Sequence, residues 1–308
     1  MQLTPRLVAF LLLPPILWAT NAVVGRIAID SIAPLWLNAL RWVVAFLILL
    51  PLGWRAVATA EARAQIRVRW AHLAVLGLIG VGAYNALQYM ALRTSTPLNV
   101  TLIASSAPVW MMLIGLVFYR VVPRPVQVFG AMMSLVGVAL VLSRGDLGAL
   151  ARIEFVEGDL LMLLAMIGWT AYSWMLARPP AHMRGDQRPA WNWAEFLVAQ
   201  CVFGVLWAVA AAAAGDVLIP AGPTQWSWGL VAAILYVAIG PSILAYRFWG
   251  AAVAEAGPAT AAIFYNFTPL FAAILSAAVI GEWPKLYHGL AFALILGGVL
   301  VSTRGGRG

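Results

Sequence analysis

The chain has 308 residues, of which 63% are hydrophobic and 10% charged, with a mean hydropathy of +0.91 and a formal net charge of +8. Soluble domains carry roughly 25% charged residues, and so few polar side chains do not cover a globule of this size, so a soluble protein is excluded. Apolar runs of about twenty residues fit helices crossing ~30 Å of hydrocarbon rather than barrel strands of period two, so the fold class is an all-α integral membrane protein.

Ten spans are predicted in chain order, at 7–29, 34–54, 72–92, 97–119, 125–143, 158–177, 193–214, 226–249, 258–280 and 286–303. Proline, glycine or charge punctuates the junctions, as at Ala33-Pro34, Thr96-Pro97, Pro123-Arg124-Pro125 and Gly257-Pro258. The first segment reads as a retained span rather than a signal peptide, because its apolar run continues to Ile29. The basic residues lie in loops, which removes nucleic acid as a partner and sets orientation instead. With the N-terminus inside, twelve arginines lie on the cytoplasmic side (Arg6, Arg55, Arg63, Arg67, Arg69, Arg120, Arg124, Arg178, Arg184, Arg188, Arg304, Arg307). Five basic residues lie outside: Arg26, Arg93, Arg144, Arg152 and Lys285. The bias predicts both termini in the cytoplasm.

The chain also repeats itself. A shift of 161 residues superposes Pro97 on Pro258, Pro108 on Pro269, Pro123 on Pro284 and Gly137 on Gly298. Trp18-Ala19-Thr20-Asn21 likewise resembles Trp169-Thr170-Ala171-Tyr172. Each half then holds five spans, residues 1–147 and 148–308, and an odd number of spans inverts one half relative to the other. Inverted repeats are a signature of secondary transporters, whose substrate sites lie near the midplane where the halves meet.

On these features the chain resembles the drug/metabolite transporter superfamily, and within it the EamA-type members. The resemblance spans the whole chain and is carried by Trp18-Ala19-Thr20-Asn21, Ala107-Pro108-Val109, Thr268-Pro269-Leu270, Gly281-Glu282 and Gly297-Gly298-Val299. The Trp- and Tyr-rich interior is most similar to the YddG aromatic amino-acid exporters of bacterial inner membranes. The resemblance implies a multi-pass inner-membrane exporter of neutral, aromatic or otherwise apolar amino acids, working by alternating access. A multidrug or metabolite exporter of the same superfamily is the alternative, and a membrane-embedded enzyme a more distant one. Tyr119-Arg120 stands in the first half where the second has Gly281-Glu282, which departs from a symmetric acidic pair.

Polar residues in mid-membrane are costly and mark function by default. Tyr84, Asn85, Gln88 and Tyr89 form i, i+4 pairs on the third span. Trp169, Tyr172 and Ser173 share a face of the sixth, and Trp18 and Asn21 a face of the first. Ser105 precedes Pro108, and Tyr265 and Asn266 precede Pro269. The 161-residue shift lays Asn85 on Tyr246 and Ser105 on Asn266, so the same depth is polar in both halves. These residues and the deep Trp110 are the expected lining of one substrate cavity. Isolated hydroxyls such as Ser134 and Ser276 are expected to serve only interhelical hydrogen bonds. Trp36, Trp54, Trp70, Trp191, Trp193, Trp226, Trp228 and Trp283 fit interfacial belts. Pro108 and Pro269 are candidate hinges.

The acidic residues and His72, His182 and His288 all fall in loops or near span ends. Arg26, Arg41 and Arg247 are expected to snorkel to the interface. No nucleophile–base pair, metal-ligand set or P-loop is legible, so catalytic residues, metal and cofactor are all absent from the expectation. Without a mid-membrane group that changes charge, uniport is expected rather than proton antiport. Glu282 near the outer end of the ninth span is the main candidate against it.

Overall fold

A computed structural model describes residues 4–95, 97–218, 222–280 and 285–304. Thr96, Glu282, Trp283, Pro284 and Arg307, and the side chains of Arg26 and Ser276, lie outside the described residues. Among the described residues every span is helical, with no strand, and nine helices are long and apolar enough to cross a membrane. A tenth span is a helix pair bent by 42°.

The spans are α1 (Pro5–Ala28), α2 (Pro34–Gly53), α3 (Trp70–Ala91), α4 (Pro97–Ser105 and Ala107–Tyr119) and α5 (Pro125–Leu142). They continue as α6 (Glu157–Ala177), α7 (Trp193–Leu218), α8 (Trp228–Ala256), α9 (Pro258–Tyr265 and Phe267–Ile280) and α10 (Leu286–Arg304). Five of them open on proline (Pro5, Pro34, Pro97, Pro125, Pro258), where the missing N–H is one the helix could not have used. That is why proline marks the junctions. Thr4 caps α1, its Oγ1 accepting from Leu7 N at 3.2 Å. Gly257, at φ +80°, makes the left-handed turn from α8 into α9.

One boundary corrects the sequence reading. The eighth span continues to Ala256 rather than ending near 249, because Arg247 and Glu255 do not terminate it. Glu255 instead pairs with Arg6 at 3.0 Å across the ends of α8 and α1. The arginine-rich end also carries a short helix, Ala60–Val68, between α2 and α3.

The packing exchanges elements between halves. Helix α1 packs on α8 and α9, while α6 packs on α3 and α4. Helices α5 and α10 lie against one another along their length. A Cβ placed on Gly130 meets the Gly298 carbonyl, and one on Gly298 meets the Gly130 carbonyl. Without a hydrophobic drive between helices in lipid, such small-residue contact is what lets the two backbones associate.

Candidate functional site: an aromatic core between two cavities

Two spans depart from α-geometry at matching places. Gly77–Ala83 of α3 and Ala238–Leu244 of α8 are π-helical, and the 161-residue shift carries the first segment onto the second. A π-turn widens the helix and is commonly placed at functional sites. In α8 it contains Pro241, which cannot donate a backbone hydrogen bond. The Pro241 carbonyl accepts from Trp18 Nε1 at 3.2 Å. In α3 the equivalent carbonyl, that of Gly80, accepts from Tyr246 Oη. Gly80 is also a close approach, since a Cβ there falls 2.6 Å from the Tyr172 ring.

Around these two carbonyls the aromatic side chains of α1, α3, α6, α8 and α9 form one cluster. Trp169 is its hub, with ring centroids 5.1 Å from Tyr84, 5.2 Å from Trp18 and Tyr172, 5.4 Å from Tyr246 and 5.5 Å from Trp249. Trp18 adds contacts to Trp249 and Tyr265 at 5.3 and 5.6 Å. Pairs at these distances contribute about 0.5–1.5 kcal/mol each beyond their area. Tyr84 and Tyr265 join α3 to α9 through their hydroxyls, 3.0 Å apart.

The cluster separates two cavities. One, of about 60 Å³, lies among α1, α3, α4 and α9 and is lined by Trp18, Asn21, Tyr84, Asn85, Gln88, Thr101, Ser105, Tyr265 and Thr268. The other, of about 360 Å³, opens at the arginine-rich end among α1, α6, α7 and α8. Tyr172, Gln200 and Tyr246 line its inner part, and Phe10, Trp193, Arg188 and Arg247 its wider part. Tyr172 donates to Gln200 Oε1 at 3.1 Å. The Arg247 guanidinium lies 4.4 Å from the Trp193 ring centroid, a cation–π contact.

Arg41 corrects the sequence reading most sharply. It is fully buried on α2 and does not snorkel. Its Nε donates to Ser242 Oγ at 2.8 Å, and its Nη1 to Tyr89 Oη at 3.0 Å and Asn21 Oδ1 at 3.3 Å. Its Nη2 has no partner. Three helices thus solvate the charge with neutral oxygens, where an intramembrane arginine costs at least ~2.5 kcal/mol. Arg247 is exposed nine residues before Ala256, and its guanidinium reaches Trp193, the first residue of α7, at the wider part of the larger cavity, as a side chain reaching for a span end does. Two further polar atoms near the small cavity are buried without partners, Trp169 Nε1 and Thr268 Oγ1.

The expected cavity residues therefore divide. Trp18, Asn21, Tyr84, Asn85, Gln88, Ser105 and Tyr265 line the small cavity. Tyr172 and Tyr246 line the larger one, and Trp169 sits between the two. Tyr89 faces Arg41. Ser173 Oγ donates to the Trp169 carbonyl at 2.9 Å and accepts from Trp249 Nε1 at 3.1 Å, so it braces the cluster from behind. Trp110 Nε1 donates to Ser106 Oγ at 3.1 Å on its own span, outside both linings. Asn266 Nδ2 turns away to Ser134 Oγ at 3.1 Å and ties α9 to α5. Pro108 and Pro269 lie in the first turns after breaks at Ser106 and Asn266, where proline needs no N–H partner, so the breaks precede them. Sequence reasoning missed Trp249. The repeat shift superposes it on Gln88, and that match was the available signal.

An all-helical bundle of up to ten spans, with broken spans and a polar and aromatic interior, is the kind of architecture on which inverted-repeat carriers are built. The profile of the EamA-like transporter family matches residues 6–143 and again 156–304, so the chain belongs to that family. It is 26% identical to an uncharacterized transporter of Archaeoglobus fulgidus, over 95% of this chain and 96% of that one. It is 24% identical to the aromatic amino acid exporter YddG of Ancylobacter novellus, over 94% and 93%. It is 24% identical to the uncharacterized inner membrane transporter YedA of Escherichia coli K12, over 94% and 88%. A solved crystal structure superposes with a TM-score of 0.73 at 22% identity, covering 98% of this chain and 99% of that one, a likeness of fold. The protein is a multi-pass membrane transporter, and its partners are a small-molecule substrate and the bilayer.

Proposed function

We propose that the protein exports neutral amino acids with aromatic or other apolar side chains, by alternating access and without ion coupling. The observation that carries this is the aromatic cluster around Trp169, standing between a small polar cavity and a wider cavity at the arginine-rich end. Its rings suit an apolar side chain, and the amides of Asn21, Asn85 and Gln88 suit a zwitterionic head. The unpartnered Trp169 Nε1 and Thr268 Oγ1 add polar valences that a ligand fills. The exporter name of the Ancylobacter novellus relative supports the same cargo. The proposal takes the two halves as residues 1–147 and 148–308, with the substrate path between them and the arginine-rich end in the cytoplasm. The test is flux of radiolabelled phenylalanine from proteoliposomes, with a panel of amino acids and hydrophobic cations as competitors. Saturable flux inhibited by apolar amino acids is expected. Inhibition by the cations alone favours a multidrug exporter.

A further inference from the structure

Among the described residues, Arg41 is a charge without a counter-ion. It is fully buried, and among the described residues no carboxylate forms an ion pair with it. A guanidinium offers five N–H donors in a planar fork. Ser242, Tyr89 and Asn21 occupy its Nε and Nη1 groups, and both protons of Nη2 are left over. Asn21 connects this charge to the small cavity, because it lines the cavity while its Oδ1 accepts from Arg41 Nη1. The guanidinium is thus separated from the small cavity by one amide side chain.

We infer that Arg41 is the docking site for the substrate's carboxylate, with Nη2 its principal donor. A carboxylate matches the fork with two coplanar oxygens. A monoanion cancels the single buried charge, whereas a phosphate dianion leaves an excess negative charge at a place with no second cation. The inference rests on the amino-acid reading above and deepens it: the carboxylate, rather than the amine, is the part of the substrate that the core demands. It also sets the cargo apart from amphipathic cations, which Arg41 repels.

The experiment uses the purified full chain with three ligands sharing one ring: phenylalanine, phenethylamine, which lacks the carboxylate, and 3-phenylpropanoate, which lacks the amine. Binding is read by ligand-induced thermal shift and transport by counterflow. Hydrogen bonds to a charged group justify a loss of about tenfold or more in affinity for phenethylamine relative to phenylalanine. Arg41→Gln is expected to weaken both carboxylate ligands by a similar factor and, by removing the repulsion, to strengthen phenethylamine rather than weaken it. Arg41→Lys, which keeps the charge without the fork, is expected to fall between, and it decides the matter if the glutamine variant does not fold. Equal binding of phenylalanine and phenethylamine by the native protein overturns the inference. So do unchanged phenylalanine affinity in the folded variants, chloride protecting as well as either carboxylate, or no binding of either carboxylate. Phenylalanine transport that survives Arg41→Gln sinks the role of Arg41 and leaves the amino-acid reading standing. Binding of 3-phenylpropanoate without phenylalanine transport does the reverse.

Discussion

Gly80 and Pro241 stand at the same position of the two repeats, and the carbonyl of each is taken by an aromatic donor from the opposite half. Tyr246 of α8 reaches back to Gly80 of α3, and Trp18 of α1 reaches forward to Pro241 of α8. Helix α2 spans the same pair of π-segments, since Asn38 Nδ2 donates to Gly82 O at 3.0 Å and Arg41 Nε to Ser242 Oγ at 2.8 Å. The irregular turns are thus among the points where the halves are hydrogen-bonded to one another.

Removing either aromatic donor takes one hydrogen bond from a helix carbonyl, a loss of about 0.5–1.5 kcal/mol. Tyr246→Phe and Trp18→Phe are each expected to lower the thermal unfolding midpoint in detergent. Tyr246→Phe, which keeps the ring, is also expected to change the transport rate more than substrate affinity, because the lost bond holds the halves. A double variant costing no more than one single variant counts against two separate bonds.

The seam between α5 and α10 makes a sharper stability prediction. A methyl group on Gly298 meets the Gly130 carbonyl, and backbone cannot step aside as a side-chain tip can. Overpacking of this kind costs about 1–3 kcal/mol, so Gly298→Ala should lower the unfolding midpoint clearly. Gly168→Ala is the internal control. Its nearest neighbour, Ile79 Cβ, lies 3.9 Å away, so alanine fits and gains up to ~1 kcal/mol of helix propensity. Equal midpoints for the two variants contradict the seam.

How much of this was legible beforehand depended on what each residue's neighbours decide. Proline at the first helical turn fixed the starts of α2, α4, α5 and α9, because its effect is local. The C-terminal end of α8 was not legible, since Arg247 looks like one of the last residues of a span and the helix runs nine residues beyond it. Arg41 was not legible for another reason: its neutral oxygens come from α1, α3 and α8, three separate stretches of chain. The π-segments are identical at no matched position, Gly77-Leu78-Ile79-Gly80 against Ala238-Ile239-Gly240-Pro241, so only their position in the repeat relates them. Asn266 was read as a cavity residue from depth alone, and depth does not say which way round the helix a side chain turns.

Sidedness can be checked on the native background, because the single cysteine, Cys201, is buried. Cysteines at the exposed Ala64 and Gln225 are expected to react with an impermeant maleimide from opposite faces, Ala64 from the cytoplasm. Cysteines at Ala254, in the larger cavity, and Ala272, in the small one, probe the path itself. Substrate is expected to raise labelling at one and lower it at the other, as alternating access requires. Labelling of both that rises together indicates a continuous pore instead.

The last prediction concerns coupling. Among the described carboxylates, Asp159 and Glu195 are buried, and each caps a helix start: Asp159 accepts from Val156 N at 2.9 Å and Asn99 Nδ2 at 3.1 Å, and Glu195 accepts from Asn192 N at 2.7 Å. Neither lines the small cavity or the aromatic cluster. The charge at the centre is the Arg41 guanidinium, a group of N–H donors with no acceptor, unsuited to shuttling a proton. A neutral zwitterion docked there moves down its own gradient. With equal substrate on both sides of a proteoliposome, an imposed pH gradient should therefore drive no net accumulation. Accumulation that collapses with a protonophore refutes uniport, and two variants then locate the group. Loss of coupling in Asp159→Asn with exchange intact assigns it to the start of α6, where Ser95 also donates to this carboxylate. Loss in Glu282→Gln assigns it to the far end of α9.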